Sequence, residues 1–323
     1  MAHALGIGPD DRLLAVFPFA HVAGFGLALT HLTTGARVVI PASADGEELW
    51  RPVEEQRLTI ASFPGLKHAL VHPMADRVDR SSVRIVIGGA GMESTRTLDE
   101  LDERLPDARF VGVDGSTEGG NFVTVSSADD ERARPGTIGP LLGFNVAILG
   151  DDDRILSPGQ EGELGLRGPS TILGYWRLPD ATEATLRHGW LHTGDVMRLD
   201  TDGFLYSVDR AKDMIKPGGE NVYSIEVEAV LLRHPHVVDC AVVGVPDGRW
   251  GEAVKAIVVI APGAPTTIAE LDAHCLTHMA PYKRPRWYEL ADAIPRTHMN
   301  KIIKRDLGAA HDPARAIRLT ERS

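Results

Sequence analysis

Asp114-Gly115-Ser116-Thr117-Glu118-Gly119 sets a hydroxyl, a carboxylate and flanking glycines directly after the apolar run Phe110–Val113. That run reads as a strand, so Thr117 and Glu118 fall at a strand's carboxyl end, where α/β folds bind ligands. A hydroxyl there can contact a phosphate, and a carboxylate can hold Mg2+ through one or two oxygens. Taken alone, the segment reads equally as a polar turn, because motifs this short also arise in ordinary loops. It is not a hydrolase elbow, since Ser116 follows Gly115 directly instead of one residue later. Gly88-Gly89-Ala90-Gly91 lies between the apolar run Val83–Ile87 and a helical pattern. Its glycines would let backbone approach a flat ligand, although it lacks the spacing of a dinucleotide fingerprint.

The stretch from Trp190 to Glu228 holds a second set of groups: Asp195 in a Thr-Gly-Asp turn, Arg210 beside Asp209, Lys212, and the pair Gly218-Gly219. A carboxylate suits ribose hydroxyls, a guanidinium suits the phosphate beside them, and glycines suit a loop that passes close to a ligand. Each Asp or Arg by itself reads as a solvated turn charge. His21, in PFAHVAGF, reads by itself as a satisfied core histidine. Lys301, in PRTHMNKIIKRD, reads by itself as a surface lysine. Were it to face developing negative charge at roughly 4 Å, with an effective dielectric near 20, it would contribute about 4 kcal/mol before desolvation.

The elements that must carry these groups alternate in type. Leu13–Phe17, Ala36–Ile40, Ile60–Phe63, Val83–Ile87 and Phe110–Val113 read as strands, with helical patterns at Glu47–Gln56 and Glu93–Arg104. Such alternation predicts an α/β fold with a largely parallel sheet covered by helices. From Gly120 to Val208 short strands separated by Gly, Pro and Asp turns predict a small β-barrel or a distorted sheet. After Arg210 an α+β pattern follows: IEVEAVLLRH and TIAELDAHCLTHM as helices, CAVVGV and AVKAIVVI as strands. The expected division is a large domain over 1–211, α/β over 1–119 and β-rich over 120–208, followed by a small α+β domain over 212–323.

Composition narrows the class. The 34 basic against 45 acidic residues give −11, which argues against a general nucleic-acid or anionic-membrane surface. Cys240 and Cys275 are the only cysteines, and two isolated thiols suggest a reducing cytoplasm, not a disulfide framework. Leu13–Leu32 lacks Asp, Glu, Lys and Arg over roughly the length a bilayer requires. Pro18, His21, Gly24 and Gly26 interrupt it, so a buried strand, a turn and a buried helix are expected. The N-terminus lacks the basic and apolar regions of a signal peptide, and a cytoplasmic protein is expected. His274 and His278 stand four apart on a helix beside Cys275; without a further acid or cysteine they read as helix-surface histidines. Tyr282-Lys283-Arg284-Pro285 reads as a solvated loop or as a contact for the phosphates of an anionic ligand.

Together, in this order and spacing, these segments resemble the adenylate-forming superfamily of acyl- and aryl-CoA synthetases, luciferases and peptide-synthetase adenylation domains. The resemblance runs from about Leu5 to about Leu307. It implies Thr117 at the α-phosphate of ATP and Glu118 at magnesium. Asp114, Gly115 and Ser116 would lie on the adenine side, with Gly89 and Ala90 where the adenine and acyl pockets join. His21 would stand beside the substrate carboxylate and thiol tunnel. Asp195 would accept both ribose hydroxyls, Arg210 would be its ribose- and phosphate-side partner, and Lys212 would be the hinge of a mobile C-terminal domain. Gly218 and Gly219 would line the pantetheine tunnel, and Lys301 would contact the carboxylate and bridging oxygens.

The chain departs from the family pattern in places. Asp114 stands where an aromatic residue usually stacks on adenine, Ala20 where an aromatic precedes the histidine, and Asn300 where a glycine precedes the lysine. Amino-acid-activating relatives carry a Phe-Asp-x-Ser element near His21, and no such acid stands here, so an ordinary aliphatic or aromatic carboxylic acid is the implied substrate. The implied reaction joins that acid to AMP using Mg·ATP and then to the thiol of CoA, with an acyl carrier protein as the second candidate thiol. A homodimer is compatible with the resemblance. The family's Ser/Thr/Gly-rich phosphate loop ending in Pro-Lys has no counterpart in Met1–Asp10, and no G-x-x-x-x-G-K-[ST] occurs elsewhere. The resemblance therefore implies that roughly the first third of a family member is unrepresented. The alternative reading is a catalytically incomplete AMP- or acyl-adenylate-binding module that needs another chain. The sheet is expected to expose an edge and apolar surface.

Overall fold

The computed structural model describes residues 2–44, 46–63, 65–143, 145–210, 213–297 and 302–319. The first sheet is built from β1 (Arg12–Leu14), β2 (Arg37–Val39), β3 (Ile60–Ser62), β4 (Ile85–Gly89), β5 (Arg109–Ser116) and β6 (Asn121–Ser127), in the order β2-β1-β3-β4-β5-β6. The first five run parallel and β6 adds an antiparallel edge. The textural change at Gly120 thus precedes the change of sheet. These strands are short apolar runs because both of their faces are covered. Leu14, Val86 and Phe110 enter one core with Trp50, Val53, Leu70 and Leu101. Their chain neighbours Leu13, Ile85, Ile87 and Val111 enter another, on the opposite face, with Leu5 and Leu27. The period-2 alternation of a strand divides the side chains this way. Trp50 stacks on Phe63 at 4.9 Å between centroids and donates its indole N–H to the Ala69 carbonyl, so its one polar atom is satisfied in the core.

The segment Leu13–Leu32 gives β1, a turn, and a helix over Val22–Leu32. That helix is not buried all round, as its composition had suggested. Gly24, Gly26, Leu27, Ala28 and His31 are buried, whereas Phe25, Leu29 and Leu32 are about half exposed, at 56%, 47% and 57%. Spacing of four and then three residues puts those three on one stripe. Ile40, just past β2 at the sheet's edge, is exposed too. Exposed edge and apolar surface therefore both occur at this end of the sheet.

The β-rich segment takes the sheet form of the two expected. Its strands are β7 (Thr137–Pro140), β8 (Asn145–Leu149), β9 (Glu161–Arg167), β10 (Leu186–Arg187), β11 (Trp190–Leu199) and β12 (Phe204–Arg210). They pair in the order β7-β12-β11-β9-β8, with β10 against β11. A third sheet follows in the order β13 (Val237–Asp247), β14 (Gly251–Ile260), β15 (Trp287–Leu290) and β16 (Ile317–Arg318). Helices Ser224–Leu231 and Ile268–His278 contribute Val227, Leu231, Leu271 and Cys275 to its core, and a Thr267–Glu270 capping box opens the second. Burial pushes the Cys240 and Cys275 thiols up to about 12 and about 11, which leaves them as packing groups. Contacts divide the chain into two units, Met1–Thr193 with Met197–Ser207, and Gly194–Val196 with Val208–Ser323. No helix among the described residues is long and apolar enough to cross a membrane.

Candidate functional site

In the first unit, β4 and β5 are parallel neighbours with Gly88 opposite Gly112 and Gly89 opposite Val113. The loops that follow them, Ala90–Gly91 and Thr117–Gly120, therefore leave the same carboxyl edge of the sheet. The second loop is clamped from the segment after β9. Ser116 Oγ accepts the Gly119 N–H at 2.9 Å, Ser170 Oγ donates to the Gly119 carbonyl at 3.0 Å, and the Ile172 N–H donates to the Glu118 carbonyl at 2.9 Å. Gly120 has φ +78°, and a Cβ there would collide with the Ser170 carbonyl, so only glycine closes this turn. Thr117 is left exposed and Glu118 half-buried. Tyr175 donates its hydroxyl to Glu118 Oε1 at 3.0 Å. Burial first, and the Glu118 carboxylate with it, push the Tyr175 phenol up, so the donor keeps its proton.

The glycine ledge is held from the other side. Ala90 N–H donates to the Val113 carbonyl at 3.1 Å, and Gly91, at φ +69°, donates its N–H to Glu131 Oε1 at 3.1 Å. Glu131 is 5% exposed and also accepts from Ser126 Oγ at 2.6 Å. A Cβ on Gly112 would occupy the space Glu131 and Ser126 fill. Burial pushes Glu131 up, and burial together with the charge of Glu131 pushes Glu93 up. Met92, 81% exposed, lies over Gly89. Asp114, on β5, faces Thr124 across the antiparallel pair with β6. His21 follows β1, with β3 between it and β4 in the sheet. It is half-buried and caps the helix Val22–Leu32, its Nδ1 accepting the Ala23 N–H at 3.1 Å. That bond places the proton of the neutral ring on Nε2. The histidine is thus a cap, not a core residue.

In the second unit, Arg210 Nε donates to Asp195 Oδ1 at 3.1 Å, with the two side chains 49% and 24% exposed. Gly194, at φ +73°, turns the chain just before Asp195. The residue before Arg210, Asp209, is 2% exposed; its Oδ1 accepts the Arg210 N–H at 2.7 Å and its Oδ2 accepts from Ser224 Oγ at 2.7 Å. Ser224 Oγ in turn accepts from Lys304 Nζ at 2.6 Å, and Lys304 pairs with Glu228 Oε1 at 2.8 Å. Gly218 and Gly219 form an exposed turn with φ of +63° and +91°, and Gly218 donates to the Trp250 carbonyl at 2.9 Å. A Cβ on Gly218 would press on the Trp250 ring. Lys212, Asn300 and Lys301 lie outside the described residues.

One sequence reading changes. Arg284 belongs to neither a solvated loop nor a phosphate contact, because it is buried and pairs with Asp272 at 2.6 Å, whereas Lys283 beside it pairs with Glu226 at 2.7 Å. His274 and His278 are joined by two histidines from elsewhere. The rings of His236, His234, His274 and His278 follow one another at 5.5, 5.2 and 4.3 Å. Among the described residues no group of three or more His, Cys, Asp or Glu could hold a metal ion. Glu131, Ser170, Tyr175 and Lys304 escaped the sequence reading. Only Glu131 had a local signal, standing one residue past the Ser127–Asp130 capping box.

Known proteins bear on this geometry directly. The AMP-binding enzyme family model matches residues 1–176, and the model of the AMP-binding enzyme C-terminal domain matches residues 226–301. The chain belongs to the AMP-binding enzyme family. A feruloyl-CoA synthase from Amycolatopsis sp. is 38% identical over 303 residues, which are 92% of this chain and 61% of that protein. A medium/long-chain-fatty-acid–CoA ligase from Mycobacterium tuberculosis is 36% identical over 93% of this chain and 54% of its own length. The o-succinylbenzoate CoA synthetase of Bacillus subtilis, solved in complex with ATP and magnesium ion, superposes with a TM-score of 0.83 at 29% identity, over 95% of this chain and 63% of that one. The chain thus spans between half and two-thirds of the length of these relatives.

Proposed function

We propose that this chain carries the nucleotide- and acid-handling machinery of an ATP-dependent, AMP-forming acid–thiol ligase, activating a carboxylic acid as acyl-AMP and passing it to the thiol of CoA. The observation that carries this reading is the Thr117–Glu118 turn, clamped by Ser170, Ile172 and Tyr175 beside the Gly88–Gly91 ledge on one sheet edge. In this reading the Thr117 hydroxyl meets the α-phosphate, and Glu118 holds magnesium. Tyr175 takes one Glu118 oxygen and thereby orients the other, which fits a cation that binds through one or two carboxylate oxygens. When bound, that ion neutralises charge on the phosphates.

The Gly89–Ala90 backbone and the Asp114–Ser116 strand end serve the adenine side. Asp195 accepts the ribose hydroxyls while Arg210 orients it. From the family resemblance, His21 serves the acid and thiol side, Lys301 the carboxylate and bridging oxygens, and Gly218-Gly219 the pantetheine arm. The same resemblance makes Lys212 the hinge between a domain over 1–211 and one over 212–323. The acid is aliphatic or aromatic, the two kinds that the relatives' names represent, and an acyl carrier protein is the second candidate for the thiol.

The test is pyrophosphate release and acyl-CoA formation with a panel of aromatic and medium- to long-chain acids, run beside calorimetry with AMP. Acid-dependent release with CoA product supports the ligase. A second reading is favoured by the share of its relatives that the chain spans, 61% and 54%: a module that holds AMP or acyl-adenylate and completes its chemistry with another polypeptide. AMP binding without turnover would select it, and absence of both would overturn both.

A further inference from the structure

Lys304 stands three residues after Lys301 and on a different element from Arg210, yet its ammonium joins the segments that carry both. It is 13% exposed. Three elements converge on it: the end of β12 through Asp209, the helix Ser224–Leu231 through Ser224 and Glu228, and its own helix, Lys304–Ala309. Glu228 Oε1 also accepts the Val242 N–H at 2.8 Å, which ties the cluster to β13. Asp209 bridges the strand end and the helix: Oδ1 takes the Arg210 N–H, and Oδ2 takes the N–H and hydroxyl of Ser224. Glu228 thus meets the Lys304 ammonium directly, and buried Asp209 meets it through the Ser224 hydroxyl. Removing the ammonium takes a charge-assisted donor from Ser224, whose hydroxyl is the link to Asp209.

We propose that Lys304 is a positioning residue: through Ser224 and Asp209 it sets the backbone of Arg210 so that the guanidinium meets Asp195. The proposal rests on the reading of Asp195 and Arg210 as the ribose contacts. A pocket of about 470 Å3 beside Lys304, lined also by Met214, Ile215 and Val242, leaves room for a guanidinium at this position. Lys304→Arg is therefore the conservative variant.

The test is calorimetric affinity of the full chain for AMP and for 2′,3′-dideoxy-AMP, whose ratio isolates the ribose hydroxyls. Asp195→Ala is expected to bring the ratio close to one. Lys304→Met is expected to lower it about tenfold and Ser224→Ala about threefold, while Lys304→Arg keeps it. A merely structural role would weaken both nucleotides alike and leave the ratio unmoved. Collapse in Asp195→Ala with a wild-type ratio in Lys304→Met overturns the proposal and leaves the ribose reading standing. An unchanged ratio in Asp195→Ala overturns the ribose reading and the proposal with it. Should Lys304→Met fail to fold, Ser224→Ala decides, since it cuts the link to Asp209 and keeps the Lys304–Glu228 pair; a wild-type ratio there overturns the relay.

Discussion

The Asp114–Gly120 turn keeps its shape with neutral groups: two serine hydroxyls, a backbone N–H from Ile172, a phenol from Tyr175, and a glycine at φ +78°. The Asp195–Arg210 pair stands instead on charges, with Asp209, Lys304 and Glu228 linked behind it. The difference suits the ligand parts assigned to each. A turn assigned to phosphate and a cation gains when the groups that hold Thr117–Gly120 add no fixed charge to that of Glu118. Ribose hydroxyls need a carboxylate aimed from one direction, and a guanidinium aims it. The two regions should therefore fail differently, the first to steric change in its backbone and the second to loss of charge.

The largest effect should come from Gly120→Ala. A methyl group at positive φ, driven into the Ser170 carbonyl, is expected to destabilise the first unit by about 3 kcal/mol, read as a lowered denaturant midpoint. Unchanged stability would mean that the turn is not sterically closed. Glu118→Gln keeps the shape of the side chain but not its charge. Pyrophosphate release should fall ~100-fold, about 2.7 kcal/mol of barrier, with AMP affinity nearly unchanged; a parallel loss of both would assign Glu118 to nucleotide holding instead.

Asp11 sharpens the contrast, because it is a charged anchor in the same unit as the neutrally held turn. Burial alone would push it up, but Arg84, Thr59 and the Gly8 N–H outweigh burial and hold it at about 2. A lowered carboxylate stabilises fully above its unfolded value, roughly 4, and that stability is lost as pH falls from there towards about 2. Asp11→Asn should cost about 2 kcal/mol at neutral pH and flatten the acid limb of stability, which pH-resolved unfolding would reveal. The smallest effect belongs to Tyr175→Phe, which removes one hydrogen bond to Glu118. It is expected to cost about 1 kcal/mol, seen as a fewfold rise in the magnesium concentration needed for half-maximal activity. A stability loss with no magnesium effect would make Tyr175 a packing residue.

Much of the fold was legible because it is local. The five parallel strands were read to within a few residues, since each is a short apolar run closed by polar turns. Phe110–Val113 grew to Arg109–Ser116 because pairing with β6 carries the ladder on into the DGS segment, which composition reads as a turn. The helix Val22–Leu32 misled for a related reason: uniform apolarity does not say which side a neighbour covers.

For the site, the sequence by itself determined where the chemistry-bearing segments lie and in what order, because a strand end, a glycine ledge and an Asp–Arg pair are properties of short windows. It also determined family membership through their joint spacing. Only the tertiary structure decided what holds them: Tyr175 on Glu118 across 57 residues, Lys304 on Ser224 across 80, and Glu131 on Gly91 across 40. Those bonds close between elements whose approach is set by core packing, and no window of sequence contains both partners.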